Sequence, residues 1–487
     1  MRDHLHRLRW SVLLLLGFIL VACANFAKPE VPNIEPYLPR DVIGTKPEPA
    51  PNAESIIGGS GERVTNNVHE KPLTLEACVQ IALDHNPMNR AAQAGVMAAK
   101  EATGEARAPY YPELGFNAGY SRWQKHAFLP SGLGPPNAQI PTVIGPTDDW
   151  IAGLKARFTL FDSGERQAQL RSALAREGMA EEDAVSIRQD MVLNVHQAYY
   201  GFVAATETRL VADENLARAE NHLRLAKERK AAGAVPQADV IRTEVEVANA
   251  KLTLVKAENL VRVSRGDLNT SMGLPVEMMI EIEAKPGEIT SPEGVDISTS
   301  FDQAVHTRPE LKAALQRLAA ARSSVDSAKS AFGPKLKAEG GYGWRDSGFL
   351  PRDEEWTAGM TIDLPIFTGF LRIHRLDRTK AELSKEEAEL EQLILNMRQE
   401  VWIAHSKFKE AYEAVQVAQV VVQDAEESMR LTRARYEAGA GTINDLLDTQ
   451  TALARAKATL VETQWDYHIA KAVFDRSIGN MVVDDNS

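Results

Sequence analysis

Cysteine is almost missing from this chain: Cys23 and Cys78 are the only two in 487 residues. If Cys23 carries a lipid, no intrachain disulfide is possible even in an oxidising compartment. Basic charge is also short, with 55 Lys and Arg against 67 Asp and Glu and a net charge of −12. That balance argues against a nucleic-acid partner, because phosphate binding needs clustered Lys and Arg. Beyond the first 23 residues no apolar run is long enough for a transmembrane helix. No Gly-rich phosphate loop, nucleophile elbow or metal-ligand spacing is present, so neither catalysis nor a cofactor is expected. Gly340-Gly341-Tyr342-Gly343 sits among alternating apolar positions and reads as strand backbone. His85, His196, His306 and His405 stand alone on helical stretches, where surface or packing roles outweigh metal binding.

The first residues read as an address. Arg2, Arg7 and Arg9 precede an apolar run from Trp10 to Val21, too short to span a bilayer as a helix. It ends in Leu20-Val21-Ala22-Cys23, which resembles a bacterial lipobox. Cleavage there would leave residues 1–22 as a signal peptide and Cys23 as the site of lipidation. Ala24 after the cysteine fits sorting to the outer membrane. The alternative is an ordinary signal peptide with an incidental cysteine. Removing residues 1–22, with three Arg and one Asp, takes the net charge from −12 to −14. Residues 23–72 then hold Pro29, Pro32, Pro36, Pro39, Pro47, Pro49 and Pro51, which favours an extended spacer over helix or central strand.

The rest of the chain is written twice. A shift of 222 positions superposes Ala82, Pro87, Pro112 and Tyr120 on Ala304, Pro309, Pro334 and Tyr342. A shift of 206 superposes Trp150, Phe161, Val195, Gly233 and Asp239 on Trp356, Phe367, Val401, Gly439 and Asp445. The two shifts differ by 16, all of it in one loop: 29 residues separate Tyr120 from Trp150, and 13 separate Tyr342 from Trp356. The sequence therefore divides into a first repeat (73–273), a connector (274–296), a second repeat (297–479) and a tail (480–487).

Each repeat contains two stretches of strict period-two alternation, at about 112–123, 149–160, 334–345 and 355–366. Trp150, Ala152, Leu154, Ala156, Phe158 and Leu160 share one face, and Lys155, Arg157 and Thr159 share the other. The lengths suit tilted bilayer-crossing strands, with Tyr and Trp near one end as an interface girdle. Four strands cannot close a barrel, and open edges are not tolerated in lipid, so several chains must combine. Most of the remainder reads as long helix. Proline is absent from Gly164 to Ala232, a stretch that could extend about 100 Å as one helix. Val195, Ala198, Phe202 and Ala205, repeated as Val401, Ala404, Phe408 and Ala411, form a coiled-coil seam. So do Ile241, Val245, Ala248, Leu252 and Val255, echoed by Leu447, Thr451, Ala454, Ala458 and Val461. All of these are expected in the core.

Two repeats of helix, strand, loop, strand, very long helix, turn and returning helix resemble the TolC outer-membrane factor family over roughly residues 73–479. Leu75–Pro87, with its Asn86-Pro87, is similar to the family's opening helix. Tyr436-Glu437-Ala438-Gly439 leading to Asp445-Leu446-Leu447-Asp448 is similar to its periplasmic tip. The resemblance implies a mainly α fold: duplicated long helical hairpins forming an α-barrel, with four transmembrane strands per chain in a trimeric twelve-stranded β-barrel. It implies an outer-membrane, lipid-anchored channel subunit of a tripartite efflux or secretion system, extending into the periplasm. Its partners would be two further copies, a periplasmic adaptor, an inner-membrane pump and outer-membrane lipid.

The same resemblance places a periplasmic gate at Asp445 and Asp448, with Asn444 beside them and Tyr436 helping to hold the tip closed. Three copies would crowd six carboxylates together, raising some of their pKa values and favouring cations. Thr442-Ile443-Asn444-Asp445 also reads simply as a helix cap with an acid in its first turn. Gly441 departs from the arginine of one branch of the family. Gly233, Pro236, Gly439 and Gly441 would make the tip turns that form the adaptor rim. Loops 124–147 and 346–353 would face the cell exterior. A non-pore, lipid-anchored coiled-coil scaffold or adaptor is the alternative reading. The four alternating strands speak against it.

Overall fold

The computed structural model describes residues 72–124, 127–128, 143–144, 147–283, 287–294 and 296–481. Contacts divide the chain into two units, Met1–Asn67 and Val68–Ser487, and every described residue lies in the second. Cys23 and the proline-rich spacer up to residue 71 fall outside the described residues.

Two short helices, α1 (Leu75–His85) and α2 (Pro87–Arg107), lead into the first strand. Thr74 caps α1 by accepting a hydrogen bond from the Ala77 N–H. Asn86 does the same for α2 through Met88, and Pro87 supplies the preset φ of a first helical position. The second repeat reproduces this entry as α5 (Ile297–Thr307) and α6 (Pro309–Ser330), with Asp296 and Pro309 in the matching roles. Between them lie α3 (Glu165–Ala231) and α4 (Gln237–Ser271); after the second pair of strands come α7 (Leu371–Glu437) and α8 (Ile443–Ser477). α3 and α7 are each 67 residues long, and α4 and α8 each 35. No proline interrupts them, so α3 and α7 each extend about 100 Å. No described helix is long and apolar enough to cross a membrane.

The strands are β1 (Glu113–Trp123), β4 (Thr147–Phe161), β5 (Lys335–Asp346) and β6 (Glu354–Asp363), antiparallel in the order β1-β4-β5-β6. β2 (Ala127–Phe128) and β3 (Val143–Ile144) form a separate ladder within the long loop. β4 runs on to Phe161, but β6 stops at Asp363, because Pro365 has no N–H to give the ladder. Leu364 and Ile366 therefore lie beyond the sheet.

The interior is duplicated as well. Val195 and Phe202 of α3 are buried with Cys78, Leu268 and Trp465; Val401 and Phe408 of α7 are buried with Ala304, Tyr467 and Phe474. Each buried Val, Leu or Phe among them contributes roughly 1.5–3 kcal/mol by leaving water. The buried polar atoms among them are paired: Tyr467 Oη donates to the Thr290 carbonyl (2.8 Å), and Trp465 Nε1 donates to Glu207 (2.7 Å). One seam differs from expectation. Ile241, Val245, Leu252 and Val255 of α4 are between 51% and 56% exposed. The stripe that α4 turns inward holds Val240, Thr243, Ala250 and Ala257 instead. A helix in a barrel wall has two neighbours. Among the main helices, α4 packs chiefly on α3 within the chain.

Candidate functional site

Two regions carry the features of a conduit, namely the sheet and the ends of the long hairpins. In the sheet, register brings the apolar face into continuous rows. Phe116, Leu154, Tyr342 and Trp356 lie side by side, and Tyr120 lies opposite Trp150 with ring centroids 4.5 Å apart. Leu114, Phe116, Met360 and Ile362 are among its most exposed residues, each above 70%. The opposite face holds charge, with Glu113, Arg157 and Glu339 in one row. Near its loop end Arg345 donates twice to Asp149, each bond 2.8 Å.

An apolar face and a charged face on one sheet is the pattern of a barrel wall between lipid and water. From Trp150 to Phe161 the strand covers about 36 Å, or about 25 Å of depth at a tilt near 45°. A second exposed apolar belt, Phe161, Phe367, Phe370 and Leu371, marks the other end. Sequence reading found only the first girdle.

Below that belt, both repeats use one device that the reading also missed. Arg166 donates to Asp162 (2.7 Å) and to the Pro109 and Leu160 carbonyls, and stacks 5.2 Å from the Tyr110 ring centroid. Arg372 donates to Thr368 and to the Ala331 and Ile366 carbonyls, and stacks 5.1 Å from Phe332. These are the same positions under the two shifts, so the duplication was the signal that could have found them.

At the far ends, the two tip turns are built alike. Gly233 N–H bonds to Lys230 O and Ala234 N–H to Arg229 O; Gly439 bonds to Tyr436 O and Ala440 to Arg435 O. This pairing ends a helix with a left-handed residue, and Gly233 (φ 74°) and Gly439 (φ 73°) fill that place without a Cβ penalty. Gly441 acts differently from expectation, since its φ is not left-handed. A Cβ there would stand 3.2 Å from the Tyr436 nitrogen, so the backbone passes close by, although the equivalent position of the first tip holds Val235.

The returning helices start differently. Pro236 caps α4 with no side-chain bond, whereas Thr442 and Asp445 form a reciprocal capping box on α8. Asp445 Oδ2 accepts from the Thr442 N–H (3.1 Å), and the Asp445 N–H donates to Thr442 Oγ1 (3.2 Å). Hydrogen bonding from Thr442, its backbone N–H first and its side chain next, holds the Asp445 carboxyl below the usual carboxylate range. The upward shift expected from crowding concerns charges on other copies; within one chain the direction is down. Asn444, Asp445 and Asp448 are all exposed on one face of the first turns of α8, while Ile443 and Leu446 point inward. Tyr436 is buried against Met429, Ile443, Leu446 and Leu453. Cys78 is fully buried, and burial pushes its thiol up to about 12, so it is packing and not chemistry. Among the described residues no group of His, Cys, Asp and Glu could hold a metal.

A family model for outer membrane efflux proteins matches the chain twice, over residues 78–274 and 301–480. The chain belongs to the outer membrane efflux protein family. Protein CyaE of Bordetella pertussis is 28% identical over 384 residues, covering 78% of each chain. The pyoverdine export outer membrane protein OpmQ of Pseudomonas aeruginosa is 27% identical over 398 residues, covering 80% of this chain and 81% of its own. Among solved structures, the outer membrane protein VceC of Vibrio cholerae matches with a TM-score of 0.72 at 18% identity. The match covers 83% of this chain and 96% of that one. Membership makes this efflux protein an outer membrane channel component of an efflux or secretion system, a conduit and not an enzyme. It also removes the scaffold alternative.

Proposed function

We propose that three copies of this chain form one continuous duct, anchored by lipid at Cys23 and docked at its periplasmic tip onto an adaptor and an inner-membrane pump. The observation that carries this reading is a sheet of bilayer length left open at both β1 and β6. Open edges in lipid leave backbone N–H and C=O groups unsatisfied, so another chain must supply the missing neighbours. The helices are open on the same sides. Their order towards the tip is α4-α3-α8-α7, which leaves α4 and α7 exposed laterally. One rotation that brings β6 to the next β1 also brings α7 to the next α4, and three such steps give twelve strands. Head-to-tail contacts of this kind close into a ring.

Residues 23–72 serve as the tether between lipid and body. The turns with Gly233, Pro236, Gly439 and Gly441 form the rim for the adaptor. Asn444, Asp445 and Asp448, exposed at the start of α8, face the axis and make the acidic constriction. The duct selects weakly and the pump chooses the cargo.

Single-channel conductance in planar bilayers tests this, comparing wild type with an Asp445→Asn, Asp448→Asn variant. A small cation-selective conductance that grows and loses selectivity in the variant is expected. A conductance indifferent to both substitutions would remove the acidic gate and keep the pore. No conductance from a folded oligomer would remove the pore.

A further inference from the structure

The hairpin loop between β5 and β6 holds out two large apolar side chains. Phe349 is 74% exposed and Leu350 is 70% exposed. Leu350 also has a left-handed backbone, with φ at 64°. That region is costly for a bulky residue and persists only where the surroundings enforce it. Here they do. Asp346 Oδ1 accepts hydrogen bonds from the Gly348 N–H (3.3 Å) and from Ser347 Oγ (3.4 Å). The Arg345 N–H closes the hairpin on the Asp353 carbonyl (2.8 Å).

Phe349 shows which way the loop leans. Its ring meets Trp150 edge to face, with centroids 5.0 Å apart, and Trp150 lies against Tyr120 on the apolar face of the sheet. The loop therefore folds over that face and not over the face that carries Asp149 and Arg345. It leans towards β4, away from the open edge of β6 where a neighbouring copy would join. In the row beyond Tyr120 and Trp150, Arg122 pairs with Asp148 (3.3 Å), so the apolar face ends at the level of those rings. Tyr and Trp take that level where acyl chains meet headgroups, and Phe349 shares it. In water, two exposed apolar groups held by a strained backbone gain nothing. At a lipid interface the same groups are stabilised by burial. Arg352 follows them, also exposed, and a guanidinium bonds well to a phosphate.

We propose that Phe349 and Leu350 are a lipid anchor. The β5–β6 loop seats at the boundary of acyl chains and phosphate-bearing headgroups, in the leaflet at the loop end of the barrel, and does not stand in water over the exit of the duct. This rests on the reading of the sheet as a barrel wall in lipid. It carries the lipid contact past the ends of the strands, and it accounts for the strained backbone at Leu350.

The test puts a nitroxide label on single introduced cysteines in the full-length oligomer, reconstituted in phosphatidylethanolamine and phosphatidylglycerol vesicles. The label's accessibility to oxygen, which concentrates in lipid, is read against that to a water-soluble nickel chelate. Phe349→Cys and Leu350→Cys are expected to favour oxygen severalfold, as Met360→Cys on the apolar face of β6 should. Thr357→Cys, on the opposite face of β6, is expected to favour nickel. Unsubstituted protein labelled in parallel sets the background, since Cys78 is buried. Leu350→Cys keeps the Phe349 ring on Trp150, so the result does not depend on losing that contact. Labels at 349 and 350 that favour nickel, with Met360→Cys still favouring oxygen, overturn the anchor and keep the barrel wall. Labels there closed to both reagents also overturn it, because a protein surface would then cover the loop. Nickel access at Met360→Cys overturns the wall and the anchor together.

Discussion

Arg308, Glu310 and Arg476 show how single residues bind the two repeats together. Arg476 of α8 donates to Asp190 of α3 (2.8 Å) and to Glu310, while Arg308 bonds Glu310 (3.2 Å) and Glu400 of α7 (2.6 Å). Both arginines are buried, and the counterparts under the repeat shifts, Asn86 and Thr270, carry no charge. Burial alone would push the Glu310 carboxyl up. Arg476 first and Arg308 next outweigh it and hold the carboxyl at about 2. A carboxylate held below its unfolded value stabilises the fold above the unfolded pKa, near 4.3, and loses that contribution as pH falls towards 2. The shift corresponds to on the order of 3 kcal/mol. Thermal melts from pH 7 to pH 3 are expected to show wild type losing stability on acidification. Glu310→Gln should start lower at pH 7 and converge on wild type at the acid end. Parallel curves would show that Glu310 is not the titrating group.

The elements were legible where a single periodicity governs them. Alternation located all four strands to within a few residues, because lipid and water enforce opposite chemistry on the two faces. The long helices were legible from missing proline, and the tips from Gly233 and Gly439. Contacts between distant positions leave no such mark. Arg229 and Tyr436 are 207 residues apart, and Arg476 and Asp190 are 286 apart, so neither pair could be read along the chain.

The apolar stripe on α4 was legible too, but not its destination. On α8 the equivalent stripe reaches towards α3, where Leu447 and Leu225 pack against the same cluster at the tip and Val461 packs against the cluster of Val195 and Phe202. On α4 the stripe is the surface that α7 of another copy would cover in the proposed ring. Val245→Glu with Leu252→Glu is therefore expected to leave the monomer's helicity nearly unchanged, as exposed substitutions usually cost about 0.5 kcal/mol or less. The oligomer should fall apart, read by light scattering in detergent. Ala250→Glu, facing α3 at 2% exposure, should instead unfold the hairpin. An oligomer that survives the double substitution would place the interface elsewhere.

For the whole molecule, the duplication makes the subunit contact calculable. Within one chain β4 pairs with β5, the second strand of repeat one against the first strand of repeat two. In the proposed ring that relation recurs between β6 of one copy and β1 of the next. Leu154 faces Tyr342, and Ala156 faces Gly340, in the chain. Adding 206 to the β4 position and subtracting 222 from the β5 position puts Met360 opposite Tyr120, and Ile362 opposite Ala118, of the neighbour. All four fall on the lipid face, as they must, because a slip of one residue would turn lipid-facing side chains to water. Directly opposed residues lie about 4.5–5.5 Å apart at Cα, within the range a disulfide spans. Met360→Cys with Tyr120→Cys should thus cross-link neighbouring subunits on oxidation, giving covalent dimers and trimers on denaturing gels. Buried Cys78 offers no competing thiol. Met360→Cys with Gly119→Cys places the second sulfur on the opposite face and should stay monomeric. If the link forms only in the second combination, the strands pair one residue out of step and the repeat symmetry does not extend across the subunit boundary. If it forms only in the first, the twelve strands follow one register rule, three times within chains and three times between them.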